Sequence, residues 1–278
     1  MKTDVYLRGP VSPWASGGIA PADELPPREG EVAQRVVVID GCSYGRLGLV
    51  SALRTFPFAD GTPVDITGYA SPASLVQATR DMARHCRVGQ PGPPVRGAVM
   101  VVRLPAAPQA ALDLLLQLGA VPVRQLPVSR LVLLSPYPGD VVLTVLVGTG
   151  CPWPVQVVAS DLSLANLRGV LHPVVHRGRR RARSAGAPGS WPLCASSVPL
   201  LPRLSERERL VLWYSVQAVP VYTQARRRSL SHKTLYSQRA QALHKLGVTS
   251  VGALLRGFVL SRFARGGHRV PGPLGYTD

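Results

Sequence analysis

Residues 204–248 read LSERERLVLWYSVQAVPVYTQARRRSLSHKTLYSQRAQALHKLGV, and this stretch decides how the last third of the chain folds. Ser205, followed three residues later by Glu208, is a capping-box pair in which hydroxyl and carboxylate each accept the other residue's backbone N–H. A helix is therefore expected to start there and to run to about Gln217. Pro220 interrupts it. A short second helix over about 222–228 follows, and Ser231 is a good N-cap for a third helix that ends at Leu246, with Gly247 as its stop. On the third helix Leu235, Ala242, Leu243 and Leu246 fall on one stripe, which predicts burial against the other two. The opposite face carries Lys233, Tyr236, Ser237, Arg239, Ala240, Gln241 and His244. This is a helix-turn-helix layout, with Val219 and Gln238 as the ends of the motif.

The charge is concentrated in the same place. The chain has 278 residues and a formal net charge of +17. From residue 173 onward there are 18 Lys and Arg against three acids, whereas the first 172 residues carry 14 against 12. Such a footprint suits a module that neutralises phosphates, joined to one that is electrically quiet. A membrane surface also attracts cations, but these are interleaved with a helical pattern rather than laid along one amphipathic helix. Duplex DNA is the expected partner, and no membrane. Donors on this face could reach base edges, Lys233, Arg239 and Lys245 suit phosphates, and the expected DNA-binding residues are Lys233, Thr234, Tyr236, Ser237, Arg239, Ala240, Gln241, His244 and Lys245. A fragment from Leu201 onward is expected to retain DNA binding.

Working toward the N-terminus, 173–202 is rich in small residues and proline, with Arg177, Arg179, Arg180, Arg181 and Arg183 in a cluster, and reads as a basic flexible linker. Before it, strand and helix patterns alternate. Residues 35–40, RVVVID, form an apolar, β-branched run ending in an acid, as a buried parallel strand would. Leu47, Leu49, Val50 and Leu53 then recur at helical spacing. Further strands are expected at 64–69, 97–104, 129–135 and 155–159, with helices at 71–86, 108–118 and 162–171. The stretch 141–147 reads as another strand where a helix would normally lie. The implied fold is α/β plus all-α: an open, doubly wound parallel sheet over 35–172, then a small helical domain over 203–265. Residues 1–34 read as a disordered extension and 266–278 as a tail.

The four cysteines, Cys42, Cys86, Cys151 and Cys194, are scattered and signal neither a disulfide framework nor a zinc site. The N-terminus has no apolar segment of the signal-peptide kind. A cytoplasmic, nucleoid-associated location is expected, with no cofactor, no metal and no catalytic residues.

The C-terminal segment resembles the LuxR-type helix-turn-helix family, which shares the start L-[ST]-x-R-E-x-x-V-L and later blocks S-x-K-T-[VI]-x-x-[HQ] and K-L-G-V. Here these are Leu204-Ser205-Glu206-Arg207-Glu208 with Val211-Leu212, then Ser231 to Gln238, then Lys245-Leu246-Gly247-Val248, aligned without a gap. The departures are Ala218, where the family has Gly, Gln224, where an Ile packs, and Arg228, where a Leu packs.

Doubly wound domains joined to such a module are commonly phosphoreceivers. Two acids after the first strand then hold Mg²⁺, an Asp ends the third strand as acceptor, and a Lys follows the fifth. Here Asp40 is followed by Gly41, the third strand ends Val101-Val102-Arg103-Leu104-Pro105, and Ser160 stands where Lys is expected. The resemblance is thus to a degenerate receiver that is not phosphorylated. The block Cys42-Ser43-Tyr44-Gly45-Arg46-Leu47-Gly48-Leu49, with Lys233-Thr234-Leu235-Tyr236-Ser237-Gln238-Arg239, is similar to the Rcs capsule-synthesis response regulators and co-activators. That resemblance implies a transcription factor that pairs with itself or with another LuxR-type regulator.

A reading of another class rests on Gly41, Gly45 and Gly48, which follow a strand and open a helix as a nucleotide-binding loop of an oxidoreductase would. Their G-x-x-x-G-x-x-G spacing is not the dinucleotide fingerprint, and Gly45 and Gly48 are read instead as serving turn geometry and close helix packing. Asp40 is a remnant metal ligand or a capping or surface acid. Trp213 and Tyr214 are assigned to the core of the helical domain or to a dimer face.

Overall fold

Val36, Val37, Val38 and Ile39 make Gln34–Ile39 (β1) a strand buried on both faces, because branched Cβ atoms favour the extended backbone and leave no polar side to turn to water. In the computed structural model, which describes residues 34–55, 64–85, 97–176 and 202–264, β1 lies inside a parallel sheet. Its neighbours are Val64–Tyr69 (β2) and Ala98–Arg103 (β3), and Val128–Ser135 (β4) and Val155–Ala159 (β5) complete the order β2-β1-β3-β4-β5. Ser43–Arg54 (α1), Pro72–His85 (α2), Pro108–Leu118 (α3), the single turn Val121–Arg124 (α4), Gly139–Gly148 (α5) and Leu164–His176 (α6) cover it.

The side chains alternate across the sheet as the pleat requires. Val36, Val38, Val99, Val101, Val132 and Leu134 meet Leu53 of α1 and Leu167 and Leu171 of α6. Val37, Ile39, Met100, Val102, Leu131 and Leu133 meet the helices of the other face, α2 to α5. The fold is therefore doubly wound, with its switch point between β1 and β3.

The helical part is Glu206–Val216 (α7), Val221–Arg228 (α8), His232–Lys245 (α9) and Val251–Ala264 (α10). The described residues belong to one compact unit: α7 and α10 pack on α3, Leu246 just after α9 meets Gly148 of α5, and one apolar core runs through both parts. Leu212, Val216, Leu246, Leu254 and Phe258 lie in the same cluster as Leu112, Leu115 and Leu146. Phe258 meets Tyr137 edge to face, with ring centroids 5.0 Å apart.

Several expectations change. Residues 141–147, expected as a strand, form the body of α5. Parallel strands β4 and β5 need a crossover, and α5 is buried against both the sheet and the helical part, so it is apolar all round and loses the periodicity that marks a helix. α6 continues to His176, past the expected linker start at 173. Leu47 does not join the core of α1; it is 66% exposed. Gln34 opens β1, while the rest of the expected extension, the arginine cluster at 177–183, Cys86, Cys194 and the tail lie outside the described residues. Among the described residues no helix is long and apolar enough to cross a membrane.

Candidate nucleic-acid interface

The capping box forms as expected. Ser205 Oγ accepts from the Glu208 N–H at 3.3 Å and Glu208 accepts from the Ser205 N–H at 2.7 Å. From there α7 runs to Val216, and the chain turns at Ala218, which takes φ +56°. This is left-handed backbone, where Gly is the residue without a steric penalty, so Ala218 is strained.

In α8, Gln224 is 1% exposed and fills the place expected for an Ile; its Nε2 donates to Val219 O at 2.9 Å, while Oε1 is buried without a hydrogen-bond partner. The helix forms nevertheless, because Val211, Ala225 and Leu235 close a small core between α7, α8 and α9. α8 ends with Ser229 at φ +52°, and Ser231 caps α9 by accepting from the Thr234 N–H at 3.1 Å. Gly247, at φ +70°, follows the end of α9.

On α9 the expected stripe, Leu235, Ala242, Leu243 and Leu246, is buried. Its other side is open to solvent: Lys233, Thr234, Ser237, Ala240, Gln241 and His244 are exposed, Tyr236 is 58% exposed, and Arg239 is half-buried. Lys245 differs. Its Nζ donates to Glu208 Oε2 at 2.7 Å and to Arg203 O at 3.2 Å, which ties the end of α9 to the capping box and engages the ammonium that was expected to meet phosphate. Burial would raise the carboxyl pKa of Glu208, but hydrogen bonds from Lys245 and Ser205 outweigh it and hold the pKa below its ordinary value.

Behind this face lies a polar seam that periodicity did not reveal. Arg209 NH1 donates to Leu116 O at 3.0 Å while the same guanidinium pairs with Glu206. Gln109 Nε2 donates to Val216 O at 2.6 Å, and Asp113 of α3 accepts from Trp213 Nε1 and from Gln217 Nε2. Trp213 packs against the shared apolar core, in keeping with its core assignment, and its indole N–H also joins the two parts. The readable signal was the breadth of apolar surface on α3, where Ala111, Leu112, Leu115, Leu116 and Leu118 are all buried and exceed one helix face.

At the switch point, Asp40 is 4% exposed and so is not a surface acid. Its Oδ1 accepts from the Cys42 N–H at 2.8 Å and its Oδ2 lies 3.7 Å from Arg103 NH1. Arg103 ends β3, where a receiver's acceptor would stand, and Ser160 borders the same cleft. Gly45 is explained by close approach, since a Cβ there would lie 2.9 Å from Arg103 NH1 and run into the Asp40 carboxylate. Gly48 faces open space, so close packing does not account for it.

No family model matches the chain, and no curated protein matches it in sequence. Among solved structures it is similar to RcsB from Salmonella enterica serovar Typhimurium bound to promoter rprA in the presence of phosphomimetic BeF3-, at 17% identity and a TM-score of 0.44, over 82% of this chain and 98% of that one. It is similar to the two-component response regulator RcsB in its DNA complex, at 16% and 0.42 over 81% and 98%. Full-length FixJ from B. japonicum matches at 15% and 0.31 over 84% and 98%.

Proposed function

We propose that this chain is a sequence-specific, duplex-DNA-binding transcriptional regulator of the LuxR type, with a receiver-like domain that is not switched by aspartyl phosphorylation. The observation that carries the reading is the two-sidedness of α9: an apolar stripe seated on α7, and an open face of hydroxyl, amide, imidazole and ammonium groups. A helix presented in this way fits the major groove, whose base edges offer donors and acceptors to such side chains. Lys233 and Arg239 meet phosphates; Thr234, Tyr236, Ser237, Ala240, Gln241 and His244 face the bases. The test is selection of binding sites from random duplexes. Tyr236→Ala and Gln241→Ala shift the selected sequence, and an unchanged preference in both contradicts the placement.

The switch point supports a receiver-like domain without phosphoryl control. Arg103 supplies a cation where an acceptor carboxylate is required, and Asp40 is already paired with it. Acetyl phosphate with Mg²⁺ leaves the intact mass of the protein unchanged; an acid-labile phosphoryl adduct on the sheet domain contradicts this.

Pairing follows from the reach of one recognition helix, which covers only a few base pairs and needs a second module on an adjacent half-site. The chain acts with a second copy of itself or with another LuxR-type regulator. Sedimentation then shows weak self-association and gel shifts show tighter binding when such a regulator is added; specific binding by a strict monomer, indifferent to any partner, contradicts it.

A further inference from the structure

We infer that the sheet domain itself touches DNA: Arg124, at the end of α4, and Arg203, just before α7, form a phosphate clasp beside the C-terminal end of α9. The inference rests on the DNA-binding reading of α9 and extends it across the seam.

The two guanidinium-bearing chains meet over Gly150. A Cβ on that glycine would lie 3.4 Å from Arg124 NH1 and 3.6 Å from Arg203 Cδ, ordinary contact distances that place both side chains against it, and its φ of +77° favours a residue without a side chain. Arg203 is exposed and Arg124 is half-buried. Among the described residues neither has an acid within ion-pair distance, whereas Arg35, Arg84, Arg103, Arg209 and Lys245 do. The Glu208 carboxylate is taken by Lys245, whose Nζ also bonds Arg203 O and so ties Arg203 to the end of α9. Two cationic side chains that both reach Gly150 with no acid paired to either favour an anion between them.

Position selects the anion. At 1.5 Å rise per residue the open face from Lys233 to His244 spans roughly 16 Å. That exceeds the major groove's width of about 12 Å, so a helix seated in the groove has a phosphate strand near each of its ends. Arg226 and Arg227, exposed at the end of α8, stand toward the start of α9, and Arg124 with Arg203 stands at its other end. The face then carries cations at both margins with the base-reading groups between them.

The test uses the full-length protein and a duplex titrated over a range of salt. Each contact released on substitution lowers the slope of log K against log[salt] by about 0.9 and weakens binding about fivefold at 0.15 M salt. Arg124→Gln and Arg203→Gln each have this effect on all sequences alike, without moving the selected site. Arg124→Lys keeps the slope. Arg54→Gln, on α1 and therefore on the opposite face of the sheet from the helical part, changes nothing. If the wild-type protein binds duplex steeply but both glutamine variants keep its slope and affinity, the clasp is overturned and the α9 reading stands. If the wild-type protein does not bind duplex at all, both fall.

Discussion

Trp213 on α7 donates its indole N–H to the carboxylate of Asp113 on α3, one hundred residues earlier in the chain. Gln217 donates to the same Asp113 oxygen at 3.1 Å, so this carboxylate gathers two donors from the helical part and anchors it to the sheet part. Asp113→Ala leaves a partly buried indole N–H without its acceptor and is expected to destabilise the protein by about 1 to 3 kcal/mol. Denaturant unfolding followed by tryptophan fluorescence measures it; an unchanged midpoint would show that the seam contributes nothing.

The apolar half of the same seam bears on truncation. Residues 202–264 expressed alone expose Leu212, Val216, Leu254 and Phe258, which are at most 5% exposed in the intact chain. The fragment is expected to melt well below the full-length protein and to aggregate, whatever residual DNA affinity it keeps. A fragment as soluble and as thermostable as the full chain contradicts the shared core.

Glu208 makes the capping box and the Lys245 pair sensitive to acid. Its pKa is lowered on folding, so its contribution is fully present above the unfolded value of about 4.3 and is lost as pH falls through the folded value. Glu208→Gln removes this dependence and weakens the protein at neutral pH, where Lys245 loses its partner. Melting temperatures of wild type and variant from pH 7 down to pH 3 should converge as acid increases; parallel curves contradict the assignment.

Ala218 holds left-handed backbone that costs an L-residue roughly 1 to 2 kcal/mol. Ala218→Gly is expected to stabilise the chain by about 1 kcal/mol, since the entropy lost by glycine offsets only part of the relief. A rise in Tm of about 2 to 4 °C is the expected reading. A fall would mean the turn relaxes elsewhere.

Cys151 is a poor nucleophile, because burial pushes its pKa up to about 11 even though the Trp153 backbone N–H and Arg124 act in the opposite direction. Cys42 is exposed. Alkylation at pH 8 with peptide mapping should label Cys42 well before Cys151; the reverse order contradicts the burial.

What was legible in the sequence was what local chemistry determines. The Ser205 and Glu208 cap, the Ser231 cap, the stripe Leu235, Ala242, Leu243 and Leu246, and the five strands of branched residues each follow from neighbours a few positions away. The failures are non-local. α5 read as a strand because a helix buried on two sides carries no polar face to set its period. Lys245 read as an unpaired cation because nothing in its neighbourhood announces Glu208, 37 residues earlier. The Asp113, Leu116 and Val216 contacts depend on how two modules meet, which neither module's periodicity records.

The central claim is that the open face of α9 meets duplex DNA, and its most direct measure is the affinity of the full-length protein for a selected duplex as salt is varied, for wild type and Lys233→Ala. A steep linear fall of log K with log[salt] is predicted, with the variant's slope shallower by about 0.9 and its affinity lower for every sequence. A flat salt response, or a Lys233→Ala variant with wild-type slope and affinity, would contradict it.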